Sequence, residues 1–230
     1  MDCVHTNSGH FFPTGRAKDR FAKLYVLFSS SCSMAGRIIG ILGSPLPEGN
    51  TARLLDRALR GAEEAGCTVE KIDITSLCFE GCQEMFFCRD HETCAMDDDM
   101  QQLYPKVRDA DGIIIATPIM CMGLPGKLKS FMDRCQVFFM AKYLRKDPLV
   151  PAEKRANRRA LFICISGMKI PETFVGARLT AKAFCDIIDC RYADELLIND
   201  MDTLVDVTRH PELLEAAHIK GHALGKTFNS

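Results

Sequence analysis

The sequence predicts an α/β fold: a doubly wound, five-stranded parallel sheet in the order 2-1-3-4-5, with helices on both faces. Three observations carry that reading. Continuous apolar runs, notably 38–42, 113–116 and 161–165, have the composition of strands buried on both sides. Segments with apolar residues at helical spacing lie between them. Gly, Pro and Ser follow the first, third and fourth runs, as expected where a strand turns into a helix.

The elements follow in order. The run 38–42 is the first strand. A helix from Thr51 to Ala65 sets Leu54, Leu55, Ala58, Leu59 and Ala62 on one face, and Gly66 ends it. Residues 67–74 alternate like a strand, and a Cys-rich loop occupies 78–94. Asp97, Asp98 and Asp99 offer caps for a helix through Met100, Leu103, Tyr104 and Val107. The third strand runs into a Pro/Gly loop, 117–126, and then a helix from Lys127 to about Tyr143. The polar stretch 146–159, with two prolines, reads as a loop. Strand four ends in Ser166-Gly167-Met168, a helix covers 174–188, and residues 191–198 supply strand five. Pro211 opens a last helix that passes Gly221. In this strand order the loops after strands one, three and four lie side by side, where such sheets bind ligands.

Composition narrows the function. With 230 residues, 47% of them hydrophobic, the chain has ample material for one sizeable core. A formal net charge of -1 gives no general attraction to nucleic acid or to an anionic membrane. No apolar run approaches the roughly 20 residues of a membrane span. Twelve cysteines on an alternating strand–helix pattern point to a cytoplasmic enzyme whose thiols stay reduced or bind metal. Residues 1–36 are expected to form a poorly ordered N-terminal extension, and 37–230 the domain proper. The apolar stretch 24–28 is too short for a good secretory signal, and Met34 is a candidate translation start.

The run Gly43-Ser44-Pro45-Leu46-Pro47-Glu48-Gly49-Asn50-Thr51 joins a buried strand to an amphipathic helix. That order builds an anion site, because the first N–H groups of a helix lack partners and sit at its positive end. Ser44, Asn50 and Thr51 can add side-chain donors, and Gly43 and Gly49 allow close backbone approach. The loop has neither GxxxxGK[ST] nor GxGxxG, so it matches neither a nucleotide triphosphate loop nor the usual dinucleotide fingerprint. The terminal phosphate of FMN suits it better. The same residues also serve as an ordinary βα turn with an Asn/Thr cap.

Taken in order, these pieces resemble a known family. Gly43-Ser44-Pro45, Gly49-Asn50-Thr51, the Cys-rich loop, Asp98-Asp99-Met100, 110–114, Thr117-Pro118-Ile119-Met120, Gly123, Gly126-Lys127-Leu128-Lys129 and Asp133-Arg134 occur as in the flavodoxin-like NAD(P)H-dependent FMN reductases. Within them the chain is similar to the iron–sulfur flavoprotein branch, from about Arg37 onward. The resemblance implies FMN, NAD(P)H as cosubstrate, a flavodoxin-like fold and a homodimer or homotetramer. It also implies that Ser44, Pro45, Gly49, Asn50 and Thr51 hold the phosphate. Pro118, Ile119, Met120, Cys121 and Gly123 would line the flavin ring, and Ser166 and Gly167 its other side. Met120 stands where the family often has an aromatic residue.

No Ser/His/Asp set or carboxylate pair stands out, so no side chain is assigned a catalytic role; the flavin would do the chemistry. Electrons would pass from NAD(P)H to a quinone, a flavin, a metal or an electron-transfer protein. The alternative is a carrier that exchanges electrons with ferredoxin and uses no nicotinamide. Lys127, Lys129 and Arg134 are expected to be solvated or paired on the surface. Cys78, Cys82, Cys88 and Cys94 are candidate ligands of a [4Fe-4S] cluster, which wants four thiolates. Iron–sulfur flavoproteins carry C-x2-C-x2-C-x5-C here. Anchored on Asp98-Asp99-Met100, that pattern puts Met85 at its second position, with Cys78 just upstream as a substitute.

Overall fold

The apolar strands do assemble as one sheet. In the computed structural model, which describes residues 35–229, β1 (Arg37–Leu42), β2 (Thr68–Asp73), β3 (Gly112–Pro118), β4 (Arg159–Ile165) and β5 (Arg191–Ile198) are all parallel, in the order β2-β1-β3-β4-β5. This is the flavodoxin-like arrangement. The expectations for residues 1–34 lie outside the described residues.

Alternation along the central strands divides the core into two layers. Ile39, Ile41, Ile113, Ile115, Phe162 and Cys164 face one side, with α2 (Met100–Asp109), α3 (Gly126–Arg134), α4 (Gln136–Phe139) and the helix Val175–Ile187. Ile38, Leu42, Ile114, Ala116, Leu161 and Ile163 face the other, with α1 (Asn50–Glu64) and the C-terminal helix Pro211–Lys226. Two short α-helices lie outside these layers' main helices, α5 (Ala152–Arg155) and α7 (Met201–Leu204), so the two named by range are α6 and α8.

The helix expected over 127–143 is interrupted. Its α-helical pairing stops at Arg134; α4 follows Cys135, and Met140–Arg145 winds as a wider π turn. Part of the expected loop 146–159 folds as α5.

On the second layer the α1 and α8 backbones touch. A Cβ on Gly221 would run into the Ala58 carbonyl, and one on Gly61 into the His218 carbonyl. Only glycine permits this approach, so α8 fixes the axis of α1.

At the other end of the sheet Arg158 is fully buried, and among the described residues no carboxylate pairs with it. Its guanidinium donates to the carbonyls of Val107 and Ala110, at 2.9 Å for the latter, and to that of Ile188. It thereby satisfies carbonyl groups left open at the ends of α2 and α6. No helix among the described residues is long and apolar enough to cross a membrane.

Candidate functional site

The loops after β1, β3 and β4 meet at the carboxyl edge of the sheet. In the first, Ser44 is buried and its Oγ accepts the Leu46 N–H at 3.2 Å, so the hydroxyl shapes the loop. Gly43 has no Cβ because Leu128 of α3 fills that space, 2.6 Å from where a Cβ would stand. Gly49 precedes α1 in extended conformation, and no side chain caps the helix. Among the described residues, no acceptor takes the backbone N–H groups of Asn50, Thr51 or Ala52, and the first turn carries no acidic residue. This cluster of open donors at a positive helix end can cradle an anion. Thr51 lies buried at its base, while Pro45 is exposed at its rim.

The Asn50 side chain has other partners. Its Nδ2 donates to the Val205 carbonyl at 2.8 Å, and its Oδ1 accepts the Val207 N–H at 3.1 Å. Both sit in the segment after β5, which sequence reasoning left unassigned. That segment is unusual: Val205 has φ 61 and ψ -60, and the Asp206 N–H closes on the Leu204 carbonyl at 2.7 Å. This is a γ-turn of the rare positive-φ kind, strained for a β-branched residue. Asp206 also pairs with Arg53 of α1 at 3.2 Å.

On the ring side, the Ile119 N–H bonds the Ile165 carbonyl and carries β3 pairing one step further. Met120 and Gly123 then exchange two backbone hydrogen bonds of 2.9 Å around Cys121 and Met122, both at positive φ. Such a two-residue turn favours Asn-Gly, so Cys-Met is a costly occupant. Pro118 is half-buried, whereas Met120, Cys121 and Met122 are exposed. Ser166 is buried with its Oγ 2.9 Å from Thr173 Oγ1, and Gly167 lies beside the Asp202 carboxylate, where a Cβ would collide. The Met201 N–H bonds the Ser166 carbonyl at 3.0 Å and the Asp202 N–H that of Gly167 at 3.3 Å. Large apolar side chains stay exposed around this edge: Leu46, Met120, Met122, Met168 and Ile170.

The Cys-rich loop is held from below by cations. Lys127 Nζ donates to the Phe79 carbonyl, Arg134 to that of Glu80, and Arg145 to those of Cys88 and His91. Arg134, expected on the surface, is therefore buried, because it anchors the loop. Lys129 does lie outside, paired with Asp133. Cys82, Cys88 and Cys94 are free thiols lining one cavity of about 380 Å³, shared with the thioethers of Met85 and Met96. Burial pushes the Cys88 thiol up, and the neighbouring Cys94 and Cys82 push it the same way. The Cys78 N–H bonds the Asp99 carboxylate at 2.6 Å, at the start of the loop. Among the described residues, no three His, Cys, Asp or Glu side chains converge as a metal site. A [4Fe-4S] cluster takes four thiolates, and Cys78, Cys82, Cys88 and Cys94 remain the candidates for them.

The chain is similar to several known proteins. A family model described as NADPH-dependent FMN reductase matches residues 36–169. An iron-sulfur flavoprotein of Methanosarcina thermophila is 38% identical over 98 residues, 43% of this chain and 51% of that protein. One from Methanocaldococcus jannaschii is 35% identical over 109 residues, 47% of this chain and 56% of that one. The chain thus spans about half the length of the curated relatives it matches. An NAD(P)H:quinone oxidoreductase from Methanothermobacter marburgensis superposes with a TM-score of 0.61 at 18% identity, covering 83% of this chain and 97% of that one. An azoreductase from Bacillus anthracis gives 0.58 at 12%, covering 83% and 99%. At these identities the structures show the shared fold. With the family model matching more than half of its length, the chain belongs to the NADPH-dependent FMN reductase family.

Proposed function

We propose that the protein is an FMN-dependent oxidoreductase that takes electrons from NAD(P)H and hands them to a quinone, a flavin, a metal or an electron-transfer protein. The observation that carries this reading is the open N-terminus of α1 beside the exposed apolar rim of the β3 and β4 loops. A phosphate needs the first, and a flat aromatic ring needs the second. FMN carries both at one end each.

The chain's own residues would bind and orient. The backbone N–H groups of Asn50, Thr51 and Ala52 would hold the phosphate, aided by the helix dipole. Met120 would lie against the ring, where a polarizable thioether packs well on an aromatic face. Pro118, Ile119 and Gly123 would fix the ring edge, with Ser166 and Gly167 bounding the other side. Bound FMN supplies one- and two-electron chemistry. Neither 118–123 nor 166–168 carries an Asp, Glu, His, Lys or Arg, so those loops position the ring and need move no proton.

Titration with FMN followed by rapid mixing with NADH and NADPH tests the reading. The protein is expected to bind FMN noncovalently and the bound flavin to be reduced by one of the two nucleotides. Protein that stays colourless in excess FMN would overturn it. Reduction by ferredoxin but by neither nucleotide would make the protein a carrier instead. The same reading includes a homodimer or homotetramer, which light scattering on the eluted peak checks.

A further inference from the structure

The segment after β5 is bonded at both ends to loops of the candidate site. At its start, the Met201 and Asp202 N–H groups bond the carbonyls of Ser166 and Gly167 on the ring side. At its end, Val205 and Val207 are gripped by the Asn50 amide at the mouth of the phosphate cradle. The Arg53–Asp206 pair reinforces that second anchor. Residues 201–207 therefore form a strap from one half of the site to the other.

We propose that Asn50 acts as a positioning residue: its amide clamps this strap, joins the phosphate and ring halves of the site, and does not itself ligate phosphate. The inference rests on the FMN reading for what the site holds, but the clamp is defined without it. Two features favour it. The amide uses its donor on the Val205 carbonyl and its acceptor on the Val207 N–H, the pairing a neighbouring strand would make. The conformation it holds would not persist unaided. Val205 keeps a positive φ although the residue is 64% exposed, so no burial of the valine offsets the strain. Such a residue keeps its conformation only when its surroundings over-determine it, and Asn50 supplies bonds on both sides.

Hydrogen exchange on the flavin-free protein tests the clamp. In Asn50→Ala the amides of Val207, Met201 and Asp202 are expected to exchange about tenfold faster or more, the equivalent of one or two lost hydrogen bonds. The amides of β2, remote from the strap, should exchange as before. Unchanged rates at Met201 and Asp202 would overturn the proposal, and so would equal acceleration everywhere, which marks general destabilisation. Flavin binding gives the second arm. The clamp predicts that Asn50→Ala weakens FMN and riboflavin by the same factor. Loss of FMN affinity with riboflavin unchanged would make Asn50 a phosphate ligand and overturn it. If the wild-type protein binds neither flavin, the FMN reading fails, and exchange alone decides the clamp. Should Asn50→Ala not fold, Asn50→Asp keeps the Oδ1 acceptor and removes only the Nδ2 donation to the Val205 carbonyl. It too should speed exchange at Met201 and Asp202; no change there would overturn the clamp.

Discussion

Arg134 and Asp98 form a bidentate pair, with Nη1 to Oδ2 at 2.6 Å and Nη2 to Oδ1 at 3.0 Å. The Arg134 side chain is 1% exposed and that of Asp98 16%. Asp98 Oδ1 also accepts the Met100 N–H at 3.1 Å, at the start of α2, while Arg134 holds the Glu80 carbonyl. One ion pair therefore fastens α3, the start of α2 and the Cys-rich loop together. Burial, the largest influence, opposes the guanidinium's charge, but Asp98, Tyr104 and Cys94 together outweigh it and raise the Arg134 pKa. Asp98→Asn would leave a buried cation without its counter-charge and is expected to cost about 3 kcal/mol. The double change Asp98→Leu with Arg134→Met should cost much less. Urea unfolding of the three proteins checks this; a loss below about 1 kcal/mol for Asp98→Asn would contradict it.

At the sheet edge, Glu70 accepts from Lys106 at 2.6 Å and from Arg37 at 3.2 Å. Lys106 above all, with Arg37, holds the carboxyl below its ordinary value, against a smaller opposing effect of burial. A lowered folded-state value means that the stabilisation is complete above the unfolded value of 4.5 and is lost as pH falls through the lowered one. All three side chains are about a third exposed or more, so solvent screens the pair. Glu70→Gln should cost only about 0.5–1 kcal/mol at pH 7 and nothing once the carboxyl is protonated in both states. Stability curves against pH for both proteins would converge at the acid end. A difference that persists there would exclude this charge as its source.

The Cys121–Met122 turn stores strain that other residues would relieve. Asn and Gly adopt positive φ readily, so Cys121→Asn with Met122→Gly should stabilise the fold by about 1–2 kcal/mol. A rise of roughly 3–6 °C in Tm is the expected reading. If Cys121 lines the flavin ring, the same variant gains stability while FMN binds less tightly. A fall in Tm would show that the two side chains contribute more than the turn costs.

Thiol labelling at pH 8 should sort the cysteines by burial. Burial keeps Cys135, Cys164 and Cys185 well above the ordinary thiol range and pushes Cys190 up to about 11, so all four stay protonated. Cys82 and Cys121 are exposed. Iodoacetamide followed by peptide mass spectrometry should find the latter two modified in native protein and the former four only after unfolding. Early alkylation of Cys164 would mean that the sheet opens locally.

How much was legible depended on how local the signal was. Strand five, residues 191–198, and the helix begun by Pro211 have the expected limits, because composition and a proline mark them. The anion cradle was legible because a helix start after a strand is a local arrangement. Arg134 was not: its helix position looks solvated until the Cys-rich loop folds over it, and that contact spans 54 residues. The break at Cys135 was hidden for a related reason, since the apolar periodicity continues across it. The strap was invisible because Asn50 has the same residue type whether it binds an anion or a backbone 155 residues away. No local pattern announces a positive-φ valine.

The contact of α1 with α8 gives the C-terminal helix a place in ligand binding that it never touches. Because Gly61 and Gly221 let the two backbones meet, α1 has no freedom to slide or tilt against α8. The open N–H groups sit at the far end of that same rod, so any yaw along its 15 residues would swing them off target. Helix α8 thus acts as the bench to which the open end of α1 is bolted.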